Sequence, residues 1–370
     1  MKVALVHDYL IEYGGAEKVL EVLHEMYPEA PVYTSFYFPD KMPAFCREWD
    51  VRVSGLHKIP MHRLFRKPLI YAMPWAFEQF DLRGYDLVIS SSSFAAKGVI
   101  THSGTTHICY CHTPPRFVWG LPSRVRRNYL MKLLLGVFDA RLRLWDFAAA
   151  SRVDKFVANS KLVARRIKKF YEKDSVVVYP PINGCSQVSD SQLSDGTSEK
   201  LRGSEYYLVV SRLVRLKNID VIIRACLRQR RKLKIVGKGD DEKYFKSISD
   251  ESIEFLGFVE EEVLMRLYSG AMGLIVAAED EDFGMTPAEA HMCGCPVLAF
   301  RGGGYIETVI DRINGLFFDS LDQDCIGTAI RKFEEIVFDR ERIRRDAIKF
   351  SKERFMRDIR KVVGEQDNVR

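Results

Sequence analysis

A chain of 370 residues that is 47% hydrophobic has enough apolar material to fill two cores of ordinary domain size. No run of about 20 apolar residues is present to span a membrane, and a net charge of +6 without a recognised motif does not mark a nucleic-acid binder. The 8 cysteines are scattered, with no CxxC pair and no His–Cys cluster at zinc spacing, so buried thiols in a reducing cytoplasm are expected.

The opening MKVALVHDYL reads as a short apolar strand that soon meets Asp8, with no small-residue cleavage site, and not as a secretion signal. Apolar runs then recur between helical patterns at Val3–His7, Tyr85–Ser90, His107–Cys111, Lys155–Ser160 and Ser175–Tyr179. The stretch Ile182–Glu205 is rich in Ser, Asp and Gly and reads as an inter-domain linker, 182–205. Strand-like runs resume at Tyr206–Ser211, Leu233–Gly237, Ile253–Gly257, Gly273–Ala277 and Pro296–Phe300. Runs of this kind, alternating with amphipathic stretches, predict parallel sheets buried on both faces. The fold class is therefore α/β, two doubly wound domains at 1–181 and 206–340 facing a central cleft, with ligands at the carboxyl ends of strands. Over Arg340–Val363, Ile343, Ala347, Phe350, Ile359 and Val363 recur at near-helical spacing, and the C-terminal helix, 341–370, is expected to pack back on the first domain.

Charge is unevenly spread. Between Arg116 and Trp145 seven Lys/Arg stand against one acid, Asp139, interleaved with bulky apolar residues. A second basic-apolar stretch runs from Leu56 to Trp75. This mixture suits anionic lipid headgroups better than nucleic acid, while solvated helix faces over a core are the simpler alternative.

The residues with chemical potential fall in the loops after strands. Gly14 and Gly15 stand just ahead of a helix, where backbone N–H groups and the helix dipole favour an anion. Their spacing is not GxGxxG, and no phosphate loop of the GxxxxGK[ST] type occurs. His112 lies just past a strand end, followed by the stiff Pro114-Pro115 pair. Arg212 and Lys217 share a loop that enters a helix near Asn218, two cations that suit a pyrophosphate. Gly237 and Gly239 flank Lys238 at the next strand end, and the backbone at Phe258 and Val259 is placed to pair with a base edge. Thr286, Pro287 and Glu289 match a capping box, a sufficient structural account of Glu289. That account leaves out Glu281 and the Phe283-Gly284-Met285 segment. Gly284 is expected where a ligand presses on backbone, and the N–H groups near Met285 and Thr286 are expected to face an anion or sugar hydroxyls. Gly302–Gly304 and Glu307 form a further strand-end loop.

The combination of Gly14-Gly15-Ala16-Glu17, His112-Thr113-Pro114, Asn159-Ser160, Ser211-Arg212-Leu213 with Lys217, and Glu281-x7-Glu289 before GCPVLAF resembles the retaining glycosyltransferases of family 4. The resemblance covers nearly the whole chain and implies the GT-B fold of two Rossmann-like domains. YDLVISSSSFAAKGVI, HICYCHTPPRFVW and YPPI look like the GDP-mannose-dependent mannosyltransferases of O-antigen and surface polysaccharide assembly. It implies that Gly14 and Gly15 approach the donor phosphates, that Arg212 and Lys217 hold the pyrophosphate, and that Glu289 meets the ribose. It also implies that Glu281 contacts the transferred sugar beside Phe283, Gly284, Met285 and Thr286, that His112 lies near the reacting face, and that Lys238, Phe258 and Val259 serve the base.

The implied reaction retains anomeric configuration by same-face attack, with no metal and no cofactor beyond the donor substrate. The implied acceptor is a glycan or polyprenyl-pyrophosphate-linked sugar, met by a cytoplasmic enzyme touching the inner membrane face through 56–75 and 116–145, with no nucleic-acid partner. One departure is Asn183, where the family commonly has aspartate after the YPP element. The alternatives are a UDP-sugar transferase, a sugar-nucleotide epimerase or glycan phosphorylase on the same fold, and a binding protein that has lost turnover.

Overall fold

The computed structural model describes residues 1–60, 63, 68–122, 129–184 and 206–365, with only the backbone described over 129–137. Most of the linker, and parts of both basic-apolar stretches, lie outside the described residues. The chain divides into two compact units, Met1–Pro181 with Phe355–Arg370, and Ile182–Arg354.

The first unit is a seven-stranded, all-parallel sheet: β1 Val3–His7, β2 Val32–Thr34, β3 Val51–Val53, β4 Leu87–Ser92, β5 Thr106–Cys111, β6 Lys155–Ala158 and β7 Ser175–Val177. Their order is β3-β2-β1-β4-β5-β6-β7. β1 and β4 run in register from Val3↔Leu87 to His7↔Ser91. Helices cover both faces, as parallel pairing requires, because each crossover must return over the sheet. The Gly15–Met26 helix buries Val19, Leu20, Val22 and Leu23 from one stripe against Leu5, Val32 and Ile89. Each such side chain contributes roughly 1.5–3 kcal/mol by leaving water.

The second unit is a six-stranded parallel sheet of β8 Tyr206–Val210, β9 Lys232–Val236, β10 Ile253–Gly257, β11 Gly273–Val276, β12 Val297–Phe300 and β13 Gly315–Phe318. Its order is β10-β9-β8-β11-β12-β13. Its Ile219–Arg228 helix buries Ile219, Ile222, Ile223 and Cys226 at helical spacing. Both sheets reverse their winding beside the first strand, between β1 and β4 and between β8 and β11, and such a switch point opens a crevice at the carboxyl ends.

Three features differ from the sequence expectation. β2, β3 and β13, each of 3 or 4 residues, are additional strands. β7 and β10 are not buried on both faces, since each forms a sheet edge; Val176 of β7 is 54% exposed, and only Ile253 of β10 is buried. The expected single C-terminal helix is broken: Arg340–Ala347 and a short turn to Phe350 belong to the second unit, and a new helix, Lys352–Val363, starts after Ser351. Ser351 has extended backbone, which divides the apolar stripe. Ile343 and Ala347 are buried in the second unit, and Phe355 and Ile359 in the core of the first. Cys46, Cys109, Cys111, Cys226 and Cys295 are buried thiols, and Cys325 is partly exposed. No described helix is long and apolar enough to cross a membrane.

Candidate functional site

In the second unit the loops after β8, β9, β11 and β12 are cast against one another by glycines. Gly237 and Gly239 follow β9, and a Cβ on either would collide with the backbone of Ser211 or Leu213 after β8. Leu213 N–H also donates to Lys238 O at 3.0 Å. These glycines therefore seat one loop on another, a nearer need than ligand approach. Lys238 is exposed, and Phe258 is 71% exposed while Val259 packs partly on the core.

The loop holding Arg212 and Lys217 ends at Asn218, whose positive φ of 51° turns the chain into the Ile219–Arg228 helix. The Asn218 side-chain amide donates to Ala277 O at 2.8 Å, tying this loop to the one after β11. Lys217 Nζ then donates to Glu281 Oε2 across the switch point. The two side chains are 27% and 24% exposed, so the pair is about three-quarters buried and still reachable by a ligand. Arg212 is partly exposed in the same loop.

Glu281 is held from the other side by the RGGGY segment. Gly304 N–H donates to Glu281 O at 2.7 Å, and the Tyr305 hydroxyl donates to Glu281 Oε2 at 3.5 Å. Burial, with the Glu281 charge second, keeps the Tyr305 phenol well above its ordinary pKa, so it stays a donor. Gly303 has φ +56°, and a Cβ there would come within 2.6 Å of Glu281 O.

The capping box expected at Thr286 is absent. Gly284, with φ +86°, is the cap residue, and the helix Met285–Met292 begins two residues earlier than that reading places it. A left-handed glycine turns the chain sharply enough to do this, which leaves Pro287 in the first turn, where its missing N–H has no intrahelical partner to lose. A Cβ at Gly284 would lie 2.8 Å from the Tyr305 ring, so the group pressing on this backbone is that ring and not an empty ligand site. Phe283 is a core residue, 2% exposed and edge-on to Phe350. Glu289 is buried at 7% and accepts the Tyr268 hydroxyl at 3.1 Å. Burial, followed by the Glu289 charge, holds that phenol protonated. The helix is further fixed by His291 Nε2–H, which donates to Asn314 O at 3.0 Å.

The first unit carries a different constellation at its own switch point. Gly14 precedes the helix that starts at Gly15, and its N–H donates to Glu17 Oε2 at 2.9 Å. One of the N–H groups expected to meet an anion is thus taken by an acid of the same turn. Glu17 Oε1 lies 3.3 Å from His7 Nε2, His7 Nδ1 lies 3.1 Å from Ser91 Oγ, and Ser91 Oγ lies 2.8 Å from His112 Nε2. His112 is partly exposed just past β5, and desolvation, followed by neighbouring His7, lowers its pKa to about 3. It is a neutral ring at any physiological pH. Beside it, Asp8 accepts four backbone N–H groups, from Ser93, Phe94, Ala95 and Ala96, at 2.5–2.9 Å.

Of the residues singled out in the sequence, Lys217 and Glu281 meet, Arg212 shares the loop of Lys217, and Glu289 and His112 are each held by a partner, Tyr268 and Ser91; the sequence reading did not single out Tyr305, Tyr268, His7 or Ser91. The missed residues lie inside strands, helices or glycine loops, and only the fold shows what they face. The one available signal was His7-Asp8, two polar residues closing an apolar strand.

Comparison with known proteins agrees with this architecture. The family described as "Glycosyltransferase Family 4" matches residues 13–183, and "Glycosyl transferases group 1" matches 192–350. An uncharacterized glycosyltransferase of Methanocaldococcus jannaschii is 31% identical over 132 residues, 33% of this chain but only 34% of that relative. The alpha-1,3/1,6-mannosyltransferase ALG2 of Dictyostelium discoideum is 24% identical over 85% of each chain. The crystal structure of Anabaena HepE in complex with UDP superposes with a TM-score of 0.67 at 18% identity, covering 98% of this chain and all of that one. With both halves matched in order on two parallel-sheet Rossmann-like units, the chain has the GT-B fold and belongs to the family 4 glycosyltransferases.

Proposed function

We propose that this protein is a retaining glycosyltransferase that moves a mannosyl group from GDP-mannose to a glycan or polyprenyl-pyrophosphate-linked sugar. The observation that carries the reading is the Lys217–Glu281 pair at the β8/β11 switch point. A cation and an acid delivered by two different strand-end loops match the two ends of a sugar diphosphate. Lys217 and Arg212 neutralise the pyrophosphate, and Glu281 accepts hydrogen bonds from hydroxyls of the transferred sugar. Glu289, oriented by Tyr268, takes the ribose hydroxyls, and His112 is assigned to the transferring sugar.

Gly15 and the first turn behind it serve the donor phosphates, with Gly14 fixing the turn. The backbone from Phe283 to Thr286 lines the sugar pocket, and Lys238 with Phe258 and Val259 serves the base. Charge grows on the leaving diphosphate in the transition state, so cations already in place lower the barrier with little reorganisation. The departing phosphate oxygen accepts the proton of the incoming hydroxyl on the same face. This reading uses no cofactor, because Arg212, Lys217 and helix N-termini supply the positive charge.

Likeness to a mannosyltransferase of Dictyostelium supports the sugar, whereas the UDP complex of Anabaena HepE favours a uridine donor as the second reading. A thermal-shift panel of GDP, UDP and ADP with their sugar conjugates separates them, since stabilisation follows affinity by mass action. GDP-mannose is expected to give the largest shift, and a larger one with a UDP-sugar overturns the donor assignment. For membrane contact, the supporting observation is that Trp75, Phe138, Leu144 and Phe147 are 41–73% exposed, the last three on a helix that also exposes Arg141 and Arg143. Flotation with anionic vesicles but not neutral ones is the expected result.

A further inference from the structure

We propose that Glu17, His7 and Ser91 act as a hydrogen-bond chain that fixes His112 as its Nε2–H tautomer and leaves the Nδ1 lone pair as an acceptor for a substrate hydroxyl. The inference rests on the role given to His112 above and adds the groups that set its polarity.

A serine hydroxyl has one proton, so of the two ring nitrogens on Ser91 Oγ, one receives that proton and the other must supply its own. At the far end Glu17, as a carboxylate, can only accept, so wherever the His7 ring holds a single proton, that proton sits on Nε2 toward Glu17 Oε1 at 3.3 Å. His7 Nδ1 is then bare and takes the Ser91 proton across 3.1 Å. Ser91 Oγ in turn accepts from His112 Nε2–H across 2.8 Å. His112 Nδ1 is left without a proton, and no described residue is bonded to it. Glu17, His7 and Ser91 are 6%, 2% and 0% exposed, so water does not break the chain. Glu17 is itself anchored by Gly14 N–H on its other oxygen, which links the Gly14 turn to His112. These three are positioning residues; none is placed at the reacting atoms.

Glu17→Gln tests this without removing an atom from the packing. The glutamine oxygen keeps the Gly14 N–H while its amide donates to His7 Nε2, which reverses every bond down to His112. Long-range ¹H–¹⁵N spectra of ¹⁵N-histidine protein at pH 8.5, about two units above an ordinary histidine, report the tautomer directly. The expected result is His112 with its proton on Nε2 in the native chain and on Nδ1 in Glu17→Gln. With transfer followed in parallel, kcat falls about tenfold to a hundredfold and the donor KM holds. Ser91→Ala gives the same loss, and Ser91→Thr, which keeps the hydroxyl, restores it. A native His112 protonated on Nδ1, a tautomer unmoved by Glu17→Gln, or wild-type kcat in both Glu17→Gln and Ser91→Ala overturns the proposal. The GDP-induced thermal shift, read on the same samples, reports the donor reading separately from the chain.

Discussion

At the ends of β8 and β11 the second unit holds Lys217 and Glu281 with about a quarter of each side chain exposed. At the corresponding ends of β1 and β4 the first unit holds His7, Asp8 and Ser91 at 0–4% exposure, with Glu17 behind them at 6%. Two sheets of the same winding therefore put polar groups at the same topological place by opposite means. The second unit uses charges on glycine-cast loops, which can exchange partners with a ligand. The first uses a buried chain whose members cannot change partners without leaving a polar atom unpaired. The difference separates groups that bind from groups that hold.

The largest test of that contrast is Glu281→Ala. Only about a quarter of each partner is exposed, so losing the acid leaves Lys217 partly desolvated and the melting temperature is expected to fall, though by less than for a fully buried pair. Transfer is expected to fall by about 10²–10³-fold, the scale of losing one preorganised polar contact in a transition state. Initial rates with GDP-mannose and a melting curve on one preparation give both numbers. An active Glu281→Ala enzyme removes the core of the functional reading.

Asp8→Ala should do the reverse. It strips the acceptor from four backbone N–H groups, three of them buried, and an unsatisfied buried donor costs about 1–3 kcal/mol. The expected outcome is a large drop in melting temperature or an insoluble chain. A melting curve indistinguishable from the native one would mean that the first unit's polar groups are not structural after all.

Acid should expose the same rigidity. Burial lowers His107 and His291 to about 4 in the folded protein. The unfolded chain binds their protons at an ordinary value near 6.5, so native stability is full above that pH and falls as pH drops from about 6.5 to 4. Each group accounts for up to about 3 kcal/mol by the bottom of that window. Melting temperature against pH checks the slope. His291→Gln, which keeps a donor for Asn314 O, should flatten it.

How much of this was visible in the sequence follows from segment length and distance along the chain. Runs such as Val3–His7 and Ile253–Gly257 are five-residue, mostly apolar segments, broken only by His7 and Glu254, and they coincide with β1 and β10. β2 and β3 have three residues each, too few for a period, and they are strands only because β1 gives β2 a partner and β2 in turn gives one to β3. The loop acids and cations were legible because loops after strands in a doubly wound fold face ligands. Their pairing was not, since Lys217 and Glu281 lie 64 residues apart and meet only through the sheet order. The capping box failed for a local reason. Thr-Pro-x-Glu is a sound start signal, but Gly284 supplied an earlier one once its φ became positive against the Tyr305 ring.

The smallest effect is the most diagnostic for Glu289, which sits between the two styles of site: an acid in the ligand-facing unit, yet 7% exposed. Tyr268→Phe deletes the hydroxyl that donates to Glu289 Oε2 and leaves the ring in place. Losing one such bond removes about 1 kcal/mol of stability, and the carboxylate gains freedom to rotate. If Glu289 serves the ribose, which is bound alike in ground and transition states, the donor KM should rise about three- to tenfold with kcat unchanged. A fall in kcat at constant KM would instead place Glu289 in contact with charge that appears only in the transition state. It would then belong with Lys217 and Glu281 rather than with the nucleoside.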